Sequence, residues 1–199
     1  MLDIGFREDV EAVKRELGGT VDQTFLFSAT VSPRIKQVAS SFLSKFHKSI
    51  NTVVDEDSPV HAHIPQRSIL LPSAKDQLPT VMKLIAHDQL KNPKQSKIII
   101  FLPTTRMVQL YTTLVRELAK FGGAGKGVVP AGKATDIYEI HSKKSQDQRS
   151  AASTQFRNAS GTASILVTSD VSARGVDYPG VTRVIQVCPL FLYDDDDSC

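Results

Sequence analysis

Four stretches of this 199-residue sequence gather the hydroxyl, amide and guanidinium side chains that hold phosphate: Ser28-Ala29-Thr30, Pro103-Thr104-Thr105-Arg106, His141-Ser142 with Gln146 and Arg149, and Ser169-Asp170 with Arg174-Gly175-Val176-Asp177. Each follows a short apolar run that reads as a strand, at Thr24 to Phe27, Lys97 to Leu102, Ile137 to Ile140 and Ser164 to Thr168. Hydroxyls, guanidinium groups and helix N-termini on one edge of a sheet form a phosphate-binding rim. Any one of these stretches alone would read as an N-cap or a turn. Their shared place after a strand gives the pattern its meaning.

The elements that must position them follow from periodicity. Val10, Val13 and Leu17 lie at helical spacing and Gly18 and Gly19 stop that helix; Ser32 and Pro33 suit the N-cap and first position of a helix to about Phe46. A β-like stretch at Ile50 to Val54 precedes a polar segment with Pro59 and Pro65 that suits a linker. Beyond the apolar Ile69 to Leu71, helices are expected at about Lys75 to Leu90, Thr105 to Phe121 and Ser145 to Phe156, and a last strand at Val181 to Val187. Pro79 is tolerable near a first helical turn. Short apolar strands alternating with helices predict an α/β fold, a parallel sheet with helices on both faces. Such sheets bind ligands beyond the carboxyl ends of their strands.

Composition narrows the function class. Hydrophobic residues make up 41% and charged residues 23%, with no apolar run of membrane-spanning length, so no membrane partner is expected. The net charge of +3 hides a more basic body: discounting Asp194 to Asp197 leaves 24 Lys and Arg against 17 acids, or +7, which suits a polyanionic partner. Both cysteines, Cys188 and Cys199, sit near the C-terminus, and no disulfide or metal spacing is present in the body. That fits an intracellular, reducing compartment. His61 and His63 have no third ligand nearby, so no metal is expected.

In this order the stretches resemble the DEAD-box family of RNA helicases. Ser28-Ala29-Thr30 resembles motif III, KIIIFLPTTRMVQL motif IV, Gln146-Asp147-Gln148-Arg149 the QxxR of motif IVa, and SDVSARGVD motif V. The wording of SKIIIFLPTT and DVSARGVDYPGVTRVIQV is most similar to the fungal mitochondrial members. The resemblance implies a C-terminal remnant of a first RecA-like domain at 1–55, a linker at 56–68, a nearly complete second RecA-like domain at 69–187 and a non-homologous tail at 188–199. It implies coupling of nucleotide and RNA sites by Ser28, Ala29 and Thr30, with Asp170 facing them and Arg174 belonging to the same machinery. Thr104, Gln146, Arg149 and Ser169 would contact phosphates of one RNA strand, single-stranded or structured, and Asp177, with room made by Gly175, would bind the ribose of ATP. The protein would act as a monomer, and mitochondria are implied by resemblance only. Ser169 replaces the family's usual Thr, Ser142 its Gly, and Ser153 an apolar residue.

ATP hydrolysis in this family needs a P-loop lysine, a Mg²⁺-holding acidic pair and an arginine finger. None of these is found in the sequence. GGAGKG at 122–127 has Lys120 and Gly127 where a P-loop needs Gly and Ser or Thr, so a flexible surface loop is expected. The implied cofactor is therefore ATP with Mg²⁺ in a full-length parent, with no tight nucleotide binding by these residues alone. The opening MLDIGF, similar to the stretch after the Asp-Glu-Ala-Asp box, and the ending CPLFLYDDDDSC lead us to expect a truncated gene model of an ATP-dependent RNA helicase. The alternatives are a non-catalytic module that binds the RNA backbone, and a product without function.

Overall fold

A computed structural model describes residues 7–18, 23–27, 33–50, 64–169 and 177–187. The chain divides into two compact units, Met1–Ser68 and Ile69–Cys199. In the first, α1 (Arg7–Leu17) and α2 (Pro33–Phe42) meet through Lys14, whose Nζ donates to the Ser41 carbonyl at 3.0 Å and lies over the Phe42 ring. The expected strand at Thr24 to Phe27 does not form: residues 23–27 are irregular, and Phe25 and Phe27 are 71% and 90% exposed. A lone strand has no ladder to satisfy its backbone, and no partner strand is present among the described residues of this unit. The helix after Pro33 ends at Phe42, short of the expected Phe46, and Ile50 is irregular while residues 51–54 lie outside the described set.

The second unit holds the sheet. Its elements are α3 (Gln77–Lys91), β1 (Lys97–Phe101), α4 (Thr105–Phe121), β2 (Asp136–Ile140), α5 (Gln146–Asn158), β3 (Ser164–Thr168) and β4 (Arg183–Gln186). The four strands are parallel in the order β2-β3-β1-β4, with Ile99 opposite Leu166 and Val184. Alternation along β1 and β3 sorts the core. Ile98, Ile100, Ile165 and Val167 face α3 and α4 through Ile85, Val108 and Val115, while Ile99 and Leu166 face α5 through Phe156. Near-continuous apolar strands reflect this burial on both faces. No described helix is long and apolar enough to cross a membrane.

One polar group pins the amino edge of the sheet. Asp88, near the end of α3 and 1% exposed, accepts hydrogen bonds at Oδ2 from Ser96 and Thr182 at 2.7 Å each, and at Oδ1 from Asn92 and Arg183 at 3.3 Å each. A buried carboxylate persists only when its lone pairs are filled in this way. The glycine segment after α4 is held more firmly than expected for a flexible loop. Gly123 N donates to the Lys126 carbonyl, Gly125 N to that of Pro130 and Gly132 N to that of Val129. Gly132 has φ +57°, and a Cβ there would overlap the Gly122 carbonyl.

Candidate nucleic-acid interface

The carboxyl ends of β1, β2 and β3 lie side by side, so the loops leaving them share one edge. Thr104 is the N-cap of α4 and is exposed, its Oγ1 accepting from Met107 N at 3.3 Å. Thr105 Oγ1 and Ser142 Oγ lie 3.1 Å apart and tie the loop after β1 to the loop after β2 across the end of β3. Ser142, unusual for the motif, thus gains a partner that Gly could not provide. α5 opens with a reciprocal cap: Gln148 N donates to Ser145 Oγ at 3.3 Å and Ser145 N to Gln148 Oε1 at 3.2 Å. Two helix N-termini, each with a partial positive charge, therefore stand on this edge.

Gln146 and Arg149 project from the first turn of α5. Arg149 Nη2 donates to Gln146 Oε1 at 2.7 Å, and Gln146 Nε2 to Ser150 Oγ at 3.2 Å. Arg149 Nε is buried without a partner, so this guanidinium is not fully committed within the protein. Beneath the rim, His141 is 3% exposed; its Nδ1 accepts from Lys143 N at 3.2 Å, which leaves Nε2 to donate to Glu139, 3.3 Å away. Lys144 meets the same carboxylate at 3.3 Å. Ser169 follows β3 and is only 4% exposed, so it lies under the surface of the rim.

Arg106, already part of the phosphate-type stretch after β1, and Lys143, absent from the stretches picked out in the sequence, are exposed cations on this edge without an ion-pair partner among the described residues. Their signal was present: each follows a strand by a few residues. Ser28, Ala29, Thr30, Asp170, Arg174 and Gly175 lie outside the described residues, as do His61 and His63.

Asp177 is not on the rim. Arg157, in the last turn of α5, donates from Nη1 to the Asp177 carbonyl at 2.8 Å and lies 3.8 Å from its Oδ2. The carbonyl of Arg157 in turn accepts at 2.9 Å from Nζ of Lys97, the first residue of β1. Asp177 therefore sits at the amino edge, separated from Gln146 by the length of α5, about 20 Å for its 13 residues. Its side chain is 83% exposed. The expectation that every polar group counted after a strand shares one rim is corrected for Asp177, which lies at the opposite edge of the sheet from Ser169.

Ser153, the polar residue on the core-facing side of α5, is accounted for by Tyr178. Their hydroxyls are 2.9 Å apart, and the Tyr178 ring meets Phe156 edge-on at 5.1 Å. A partner 25 residues away leaves no local signal in sequence.

A parallel sheet flanked by helices, with capped helix N-termini on its carboxyl edge, is a RecA-like α/β arrangement that places ligands at that edge. The helicase conserved C-terminal domain family matches residues 76–196. The chain is 37% identical over 187 residues to DEAD-box ATP-dependent RNA helicase 25 of Oryza sativa subsp. japonica, covering 94% of this chain and 28% of that protein. It is 35% identical over 189 residues to the mitochondrial ATP-dependent RNA helicase mss116 of Aspergillus oryzae, covering 94% and 27%. A solved structure described as Mss116p DEAD-box helicase domain 2 bound to an RNA duplex aligns at TM-score 0.45 and 23% identity, over 56% of this chain and 38% of that one. The chain belongs to the helicase conserved C-terminal domain family. It spans 28% and 27% of the length of those two curated relatives.

Proposed function

We propose that this chain is the RNA-holding part of an ATP-dependent RNA helicase that separates short duplexes locally. The observation that carries the reading is the single edge on which Thr104, Gln146 and Arg149 meet two capped helix N-termini. Contacts of this kind reach phosphates and sugars and fix the strand's path without reading its bases. Closure of two RecA-like domains on ATP would bend one strand, with Ser28 and Thr30 coupling the sites.

ATP with Mg²⁺ is the cofactor we propose for the protein that carries this domain. Asp177 fits a ribose hydroxyl, because its carboxylate is 83% exposed and only loosely paired with Arg157 at 3.8 Å. Bound ATP would hold the closed state, and transfer of its terminal phosphoryl group to water would end it. Residues 1–199 contain no P-loop sequence, so the purified chain alone is expected to show no ATP turnover with or without RNA. Mitochondrial residence is proposed from the names of relatives in Aspergillus oryzae and Lodderomyces elongisporus.

Fluorescence anisotropy with single strands of unrelated sequence tests the reading. Affinities equal within a few-fold and falling steeply with salt are expected. A strong preference for one sequence, or no binding at low salt, would overturn it.

A further inference from the structure

The second half of α4 faces a cavity of about 270 Å³ lined by Arg116, Ala119, Lys120, Lys133, Thr135 and Ile137. Arg116 and Lys120 are four residues apart and share a helix face. Lys133 reaches the cavity because the tied glycine segment folds back onto the end of α4, where a Cβ at Gly122 would overlap the Val129 carbonyl and one at Gly132 the Gly122 carbonyl. Glu117 offsets Lys120 at 2.6 Å, and one Arg116 N–H goes to the Ile137 carbonyl at 3.4 Å. Four guanidinium N–H groups remain, and Lys133 has no hydrogen-bond or ion-pair partner among the described residues.

Basic residues near a helix C-terminus also complement its dipole, which accounts for Lys120. It does not account for Lys133, which another segment delivers to the same hollow. The cavity is joined to the rim by the solvent face of α4, where Arg106, Gln109, Thr113, Arg116 and Lys120 follow one another at three- and four-residue intervals, all exposed.

We propose that the Arg116–Lys120–Lys133 cavity is a second phosphate site, occupied by a phosphodiester of the RNA strand beyond the part held at the rim. This rests on the reading of the rim as an RNA contact. From Arg106 to Lys120 the helix rises about 21 Å. A stacked strand rising about 3.4 Å per nucleotide covers that in about six nucleotides.

The test uses the full chain with labelled single strands of about four and about fifteen nucleotides; at about 3.4 Å per nucleotide the shorter covers about 14 Å and cannot span from the rim to the cavity. Lys133→Gln and the double variant Arg116→Gln/Lys120→Gln are expected to weaken the long strand several-fold and to lower its salt slope by about one per cation removed. The short strand should be unchanged. Arg149→Ala should weaken both lengths. Equal effects of the cavity variants on both strands, or none on either, overturn the proposal. If Arg149→Ala changes neither strand while the cavity variants weaken the long one, the rim reading fails and the cavity stands. Inorganic phosphate, followed by amide NMR shifts at Lys133 and Thr135, separates the sources. Shifts with phosphate that are lost in Lys133→Gln, without any dependence on RNA length, identify a free-anion site and sink the RNA assignment.

Discussion

Arg149 Nη2 and Gln146 Oε1 are joined at 2.7 Å across the first turn of α5, while Arg149 Nε is buried with no partner. The pair is preorganised: Gln146 holds the guanidinium at the helix N-terminus, and an unmatched buried donor costs about 1–3 kcal/mol until something accepts from it. A phosphate at this position would meet the guanidinium, the Gln146 amide and the helix dipole together. The arrangement explains why the motif spaces these residues by three, the interval that puts both on one helical face.

Asp88→Ala is expected to destabilise the second unit by about 3–5 kcal/mol, the range for breaking a buried, hydrogen-bonded charge cluster. Ser96, Thr182, Asn92 and Arg183 would all lose their acceptor. Urea unfolding followed by circular dichroism checks this; a loss under about 1 kcal/mol would show that the cluster is incidental.

The hydroxyls of Ser153 and Tyr178 should be energetically coupled. Ser153→Ala and Tyr178→Phe are each expected to cost about 1 kcal/mol, with the double variant costing clearly less than their sum. Additive losses would mean that the 2.9 Å contact contributes nothing of its own.

Alkaline stability should show two opposing slopes. Burial raises the Tyr111 phenol above its usual 10.0, so between 10.0 and the folded value the native state binds more protons and stability falls as pH rises. Burial, then the nearby Arg157 charge, lower Lys97 below 10.5, so between the folded value and 10.5 the unfolded state binds more protons and stability rises with pH. Tyr111→Phe should flatten the fall and Lys97→Met the rise, read as urea midpoints from about pH 8 to 11. Parallel curves for all three proteins would contradict both assignments.

Much of the second unit was legible in the sequence because its signals are local. The helix over Thr105–Phe121 and the strand Ser164–Thr168 fall where hydrophobic period and length put them. That the loops after β1, β2 and β3 share one edge was legible because a parallel sheet brings the carboxyl ends of its strands together. What was not legible depends on distant partners. The strand expected at Thr24 to Phe27 has the composition of a strand but no neighbour to pair with among the described residues, and Asp88 reads as an ordinary helical acid until Ser96, Thr182 and Arg183 converge on it. Asp177 lies at the amino edge beside Arg157, a neighbour 20 residues away that its position in the sequence does not record.

The most direct measurement is the salt dependence of single-stranded RNA binding by the full chain, compared between wild type and Arg149→Ala. The account predicts that the variant binds several-fold more weakly to every sequence and that its slope of log affinity against log salt falls by about one, with its fold retained by circular dichroism. Identical affinity and slope in the two proteins would contradict the claim that this edge of the sheet holds the RNA backbone.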